Sequence, residues 1–173
     1  MSQSNENKGR QLLIMRHGKA NWEMEIDDLQ RPMTERGVEE AKNIGHWLND
    51  QPLHPDIIIS STASRALATS KQVAEAMSIS NVTQDARIYN ASIEQLLVVL
   101  SDIPAEYKRP MIVGHNPGFE YLLLHLAEVG ENFYKDGSLF TTGTVAILDM
   151  PDDWRQLDRQ CGELVDIVRG ASL

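Results

Sequence analysis

Leu12-Leu13-Ile14-Met15-Arg16-His17-Gly18 is the stretch whose reading decides the fold. Four apolar residues run straight into Arg-His-Gly. A run this short fits a buried strand, and Gly18 turns the chain at its end. Arg16 and His17 then stand at a strand terminus, where open α/β sheets place their ligand sites. His17 is a candidate nucleophile that accepts a phosphoryl group.

Two other stretches repeat the pattern. Ile57-Ile58-Ile59 reads as a second buried strand and stops at Ser60-Ser61-Thr62, three hydroxyl residues suited to a turn and an N-cap. Ala66, Thr69, Val73, Ala76 and Met77 give one face of the helix that follows, with Arg65 in its first turn. Met111-Ile112-Val113 reads as a third strand, ending at Gly114-His115. Asn116 is suited to cap the next helix and Pro117 to be its first residue, with Phe119, Leu122, Leu123 and Leu126 on the buried face.

The intervening chain completes the alternation. Thr34 caps a helix carrying Val38, Ala41, Ile44, Gly45 and Leu48 at helical spacing, and Ser92 with Gln95 has the spacing of a capping box. Asn81 to Ala86 is a weak strand and Thr144 to Leu148 a clear one. Asp152-Asp153-Trp154 is expected to turn into a final edge strand through Leu157. Lys19 to Arg31 and Glu128 to Ser138 read as polar loops, and the acidic pair Asp27-Asp28 as solvated. No repeat or linker interrupts the chain, so residues 11–173 are expected to form one domain behind a polar, flexible tail over residues 1–10.

Strands alternating with amphipathic helices predict an α/β fold with a mostly parallel central sheet and helices on both faces. In such a sheet the three strand ends lie on one side, which brings Arg16, His17, Arg65 and His115 to one pocket. Guanidinium forks grip phosphoryl oxygens, and helix N-termini add backbone donors. One imidazole attacks phosphorus while the other donates to the developing charge. This chemistry calls for no cofactor and no metal.

Composition narrows the partners. The formal net charge of -9, from 16 Lys+Arg against 25 Asp+Glu, argues against nucleic acid or an anionic membrane. Cys161 is the single cysteine, and no apolar run approaches a membrane span or a secretory signal, so the cytoplasm is the expected compartment. Ile167, not arginine, stands six residues after Cys161, which removes a cysteine phosphatase loop from consideration. His46, His54 and His125 lack the pair spacing of a zinc site.

Taken together, Arg16-His17-Gly18, Ser60-Ser61 with Arg65-Ala66 and Thr69, and Gly114-His115-Asn116-Pro117 resemble the histidine phosphatase superfamily, the phosphoglycerate mutase-like fold. The small size, Arg31-Pro32-Met33-Thr34 with Gly37, Tyr89-Asn90-Ala91-Ser92 and Phe140-Thr141-Thr142-Gly143 are similar to its SixA-type phosphohistidine phosphatase branch. The resemblance implies a three-layer α/β/α sandwich. It also implies that His17 becomes phosphohistidine, that Arg16, Arg65 and His115 hold the phosphoryl oxygens, and that Asn21 and Ser61 line the substrate pocket.

One position departs from the larger members, which carry a carboxylate general acid after the third strand. Asn90 stands at the nearest place, and Glu94 falls in the following helix. An alkoxide leaving group needs such an acid more than imidazole does. The expected substrate is therefore a phosphohistidine-containing signalling or phosphotransfer protein. A phosphorylated small molecule, or a phosphate-binding module without catalysis, are the alternatives.

Overall fold

In the computed structural model, which describes residues 9–173, the opening stretch is a strand, β1 (Arg10–Arg16), with Leu12 to Met15 fully buried. Residues 1–8 of the expected tail lie outside the described residues; Arg10, its last member, already belongs to β1. Thr34 caps α1 (Glu35–Asp50) by accepting from the Gly37 N–H. There follow β2 (Ile57–Ser60), α2 (Ser64–Met77), β3 (Val82–Gln84) and α3 (Ile93–Ser101), the last opened by the full Ser92/Gln95 capping box. β4 (Pro110–Gly114), α4 (Gly118–Leu126), β5 (Thr144–Met150) and β6 (Glu163–Arg169) complete the chain.

The six strands form one sheet in the order β3-β2-β4-β1-β5-β6. β3, β2, β4 and β1 pair in parallel, and β5 and β6 add antiparallel. Because successive side chains point to opposite faces, each central strand feeds two cores. Leu12, Ile14, Ile59 and Ile112 join α3 and α4 through Leu96, Leu100, Phe119 and Leu122. Leu13, Met15, Ile58 and Met111 join α1 and α2 through Ile44, Leu48, Ala66 and Val73. Each such side chain contributes roughly 2 kcal/mol by leaving water. The result is the α/β/α sandwich, with a mostly parallel sheet.

Three local expectations change. Residues 154–157 are not a strand: Trp154 is buried and its indole N–H donates to the Tyr107 carbonyl, 3.1 Å away. The edge strand is β6, whose partly exposed residues hide it from a burial-based reading of sequence. The N-cap of α2 is Ala63 rather than one of the hydroxyl residues, because the helix begins only at Ser64; the Ser61 hydroxyl accepts the Ala63 N–H ahead of it. α4 starts one residue later than expected, after Pro117, and Asn116 still accepts from the Glu120 N–H.

Candidate active site

β1, β4 and β2 are neighbours and parallel, with Arg16 level with Gly114 and Ser60 level with Val113. Their C-terminal ends therefore deliver His17, His115 and Ser61 side by side. The turn after β1 is tight. A Cβ on Gly18 would collide with the Gly37 carbonyl oxygen and lie 2.7 Å from Met33 Sδ, so α1 packs directly on the backbone beside His17. Thr69 Oγ1 accepts the Gly18 N–H at 2.9 Å and fixes the same turn from α2.

His17 is only 5% exposed, and its Nδ1 lies 2.7 Å from the Gly18 carbonyl oxygen. A carbonyl only accepts, so Nδ1 carries the proton and Nε2 keeps its lone pair. Burial first, then the Arg65 and Arg16 charges, push the His17 pKa down to about 4 against the raising effect of the Gly18 bond, so the ring is neutral at pH 7.

The His115 ring stands 5.2 Å from that of His17 between centroids. Burial, then His17 and Arg65, push its pKa down to about 3. Its Nε2 lies 2.7 Å from Ser61 Oγ, which also accepts the Ala63 N–H at 3.2 Å. With the Ser61 hydroxyl donating to His115 Nε2, the other nitrogen, Nδ1, is the N–H donor that a phosphoryl oxygen needs. That Nδ1 is buried without a partner among the described residues.

The two arginines behave alike. Arg16 Nη1 donates to the Phe140 carbonyl at 3.0 Å. Arg65 Nη1 and Nη2 donate to the main-chain and carboxylate oxygens of Asp28, at 2.6 and 3.0 Å. In both, Nε is buried and has no partner among the described residues. The edge of each fork formed by Nε and Nη2 thus keeps hydrogens free for a planar anion. Buried donors rarely go unpaired, so three at one place are suited to a group with several acceptor oxygens.

Cavities flank this cluster on two sides. One of about 490 Å³ is lined by His115, Asn90, Glu94 and Tyr121, and another of about 320 Å³ by Arg16, Glu120, Tyr134 and Phe140.

Of the residues expected at the site, His17, Arg16, Arg65 and His115 come together. Ser61 lies with them as the hydrogen-bond partner of His115. Asn21 has no hydrogen bond to this group: its side chain accepts from the Glu23 N–H and its backbone serves Arg31 and Pro32. His46 is exposed, while His54 pairs with Asn49 and His125 with the Leu157 carbonyl. Asp28, read as solvated, instead contacts Arg65 and also accepts from the Tyr89 hydroxyl at 2.6 Å. Nothing in a lone Asp-Asp pair marks this role; only the short turn over residues 28–30 brings it there.

Comparison with known proteins bears on the family and the fold. The family model "Histidine phosphatase superfamily (branch 1)" matches residues 12–95, which contain Arg16, His17, Ser61 and Arg65. Residues 12–95 thus carry the pattern of the histidine phosphatase superfamily. Within the superfamily the chain is similar to the provisionally assigned phosphohistidine phosphatase SixA of Agrobacterium tumefaciens, with 29% identity, a TM-score of 0.78, and 92% of this chain and 97% of that one covered. The protein histidine phosphatase SixA solved with tungstate shares the fold at 21% identity and a TM-score of 0.77, over 94% of this chain and 98% of that one. An uncharacterized protein of Mycobacterium leprae is 28% identical over 87% of this chain and 96% of its own length. These likenesses place the superfamily member in the SixA-type branch and make it a phosphatase.

Proposed function

We propose that this phosphatase acts on phosphohistidine in a cytoplasmic signalling or phosphotransfer protein, through a phosphorylated His17 and without a metal. The observation that carries the reading is the fixed tautomer of His17. Its Nδ1–H is held by the Gly18 carbonyl, so the Nε2 lone pair attacks phosphorus. The P–N bond of the substrate breaks, and its electron pair returns to the leaving imidazole. That ring takes a proton on its other nitrogen, which reaches water, so no acid is needed at the breaking bond.

The phosphorylated His17 then carries phosphorus on Nε2 and a proton on Nδ1. This cationic ring is itself a good leaving group. Water attacks phosphorus, the electron pair returns to Nε2, and neutral His17 is regenerated with phosphate. Through both steps the free edges of Arg16 and Arg65 and the Nδ1–H of His115 hold the three equatorial oxygens.

A macromolecular substrate is supported by apolar residues left in water around the site. Trp22, Met24 and Leu29 are exposed on the loop that carries Asp28, and Tyr121, Leu124 and Tyr134 beside the two cavities.

A second reading, a phosphatase of small-molecule monoesters, is favoured by one observation. Glu94, although on α3, lines the same cavity as His115. A carboxyl there would supply the proton an alkoxide needs. Parallel kinetics on a phosphohistidine protein and on a panel of sugar and aryl phosphates separate the two. Faster turnover of the phosphohistidine protein is expected. Faster turnover of monoesters, lost in Glu94→Gln, would replace the first reading with the second.

A further inference from the structure

We propose that Asp28 is a positioning residue that aims the free edge of Arg65 at the phosphoryl group and holds Tyr89 against His115. The proposal rests on the reading of Arg65 and His115 as phosphoryl-binding groups.

Asp28 occupies one end of the Arg65 guanidinium with two different oxygens. Its main-chain oxygen takes Nη1 at 2.6 Å and its Oδ2 takes Nη2 at 3.0 Å. A guanidinium is planar and offers its five N–H donors in fixed directions. Seating the Nη1–Nη2 end on Asp28 therefore decides where the other edge, Nε with the second Nη2 hydrogen, must face. Lysine, or an untethered arginine, would lose that direction.

The same Oδ2 accepts the Tyr89 hydroxyl at 2.6 Å. The Tyr89 ring meets His115 edge-on, with centroids 5.5 Å apart. One carboxylate oxygen thus ties together Arg65 of α2 and the tyrosine that backs His115. The Tyr89 bond first, with the help of Arg65, keeps the Asp28 carboxyl below its ordinary range, so it is ionised at neutral pH.

The loop that presents Asp28 is built to hold it. Arg31 Nη1 donates to the Asn21 and Met24 carbonyls at 2.9 and 3.0 Å, its guanidinium lies 4.4 Å from the Trp22 ring centre, and its Nε stands 3.6 Å from Asp28 Oδ1. Every group facing the Asp28 carboxylate is a donor. An amide in its place either turns its NH2 on Arg65 and Tyr89, or keeps its oxygen there without the charge and turns its NH2 towards Arg31 Nε.

The test uses the full chain and vanadate, whose trigonal-bipyramidal complexes mimic phosphoryl transfer, with affinity read by calorimetry. Asp28→Asn should weaken vanadate binding by about 10- to 100-fold, as expected for losing a charged partner of a binding arginine. In an Arg65→Lys background the same substitution should cost less than threefold, because the group it acts through is gone. Tyr89→Phe combined with Asp28→Asn should bind no more weakly than Asp28→Asn alone. Asp28→Ser keeps the main-chain bond to Nη1 and puts no amide beside a donor; it carries the same test if Asp28→Asn does not fold.

Vanadate affinity within threefold of wild type in the Asp28 variant would overturn the proposal. So would losses that multiply independently with those of Arg65→Lys. Because binding is read without turnover, a wild-type protein that binds vanadate but leaves phosphohistidine intact overturns the proposed substrate and not the role of Asp28.

Discussion

Acidification should destabilise this protein through His17 itself. The side chain is buried, and its pKa falls from 6.5 to about 4 on folding, mainly because burial disfavours the charged ring. Between those values the unfolded chain binds a proton that the folded chain refuses, so stability rises with pH across the window. The contribution is complete above pH 6.5 and is lost as the pH falls through about 4. Integrating the proton difference gives a loss of ~2 kcal/mol at pH 5 and ~3 kcal/mol at pH 4.

Carboxylates and His115 titrate over part of the same range, so the quantity to read is a difference. Urea unfolding of wild type and His17→Gln at pH 7 and pH 4 should show wild type losing about 2–3 kcal/mol more than the variant. Protonation also removes the Nε2 lone pair, so the acid limb of kcat/KM should fall near pH 4 rather than near 6.5. An equal pH dependence in both proteins, or an acid limb near pH 6.5, would refute the reasoning.

Two substitutions probe the support around His17 and His115. Gly18→Ala drives a methyl group into the Gly37 carbonyl and Met33, and should lower the unfolding free energy by roughly 2–4 kcal/mol in urea titration while displacing the acceptor of His17 Nδ1. Ser61→Ala removes the one side-chain partner that His115 Nε2 has among the described residues, so the ring loses the bond that orients it. Steady-state kinetics should then show kcat/KM down by about tenfold or more, with Ser61→Thr retaining most of it.

The strand-end residues were legible because each follows an apolar run that reads as a buried strand. Leu12 to Met15, Ile57 to Ile59 and Met111 to Val113 point to adjacent parallel strands, and the fold then has little freedom in where Arg16, His17 and His115 go. Arg65 follows because α2 begins immediately after β2. What the sequence hid lies in segments without periodicity. Asp28 reaches Arg65 through an irregular loop held by main-chain bonds to Arg31, and no spacing rule describes such a path. The bond between Ser61 and His115 is hidden for a related reason. A hydroxyl beside a helix start reads as a cap, and only the neighbouring strand brings His115 to 2.7 Å from it. β6 is hard to see in the sequence because an edge strand with one half in water lacks the apolar signature that marks the others.

The central claim is that His17 takes the phosphoryl group on Nε2, with Nδ1–H kept by Gly18. Rapid quenching of the protein with a phosphohistidine-bearing donor, followed by NMR of the trapped phosphoprotein, reads both the residue and the ring nitrogen. The account predicts acid-labile phosphate on His17 at Nε2, absent in His17→Ala. Phosphate on Nδ1, on another residue, or turnover undiminished in His17→Ala would contradict it.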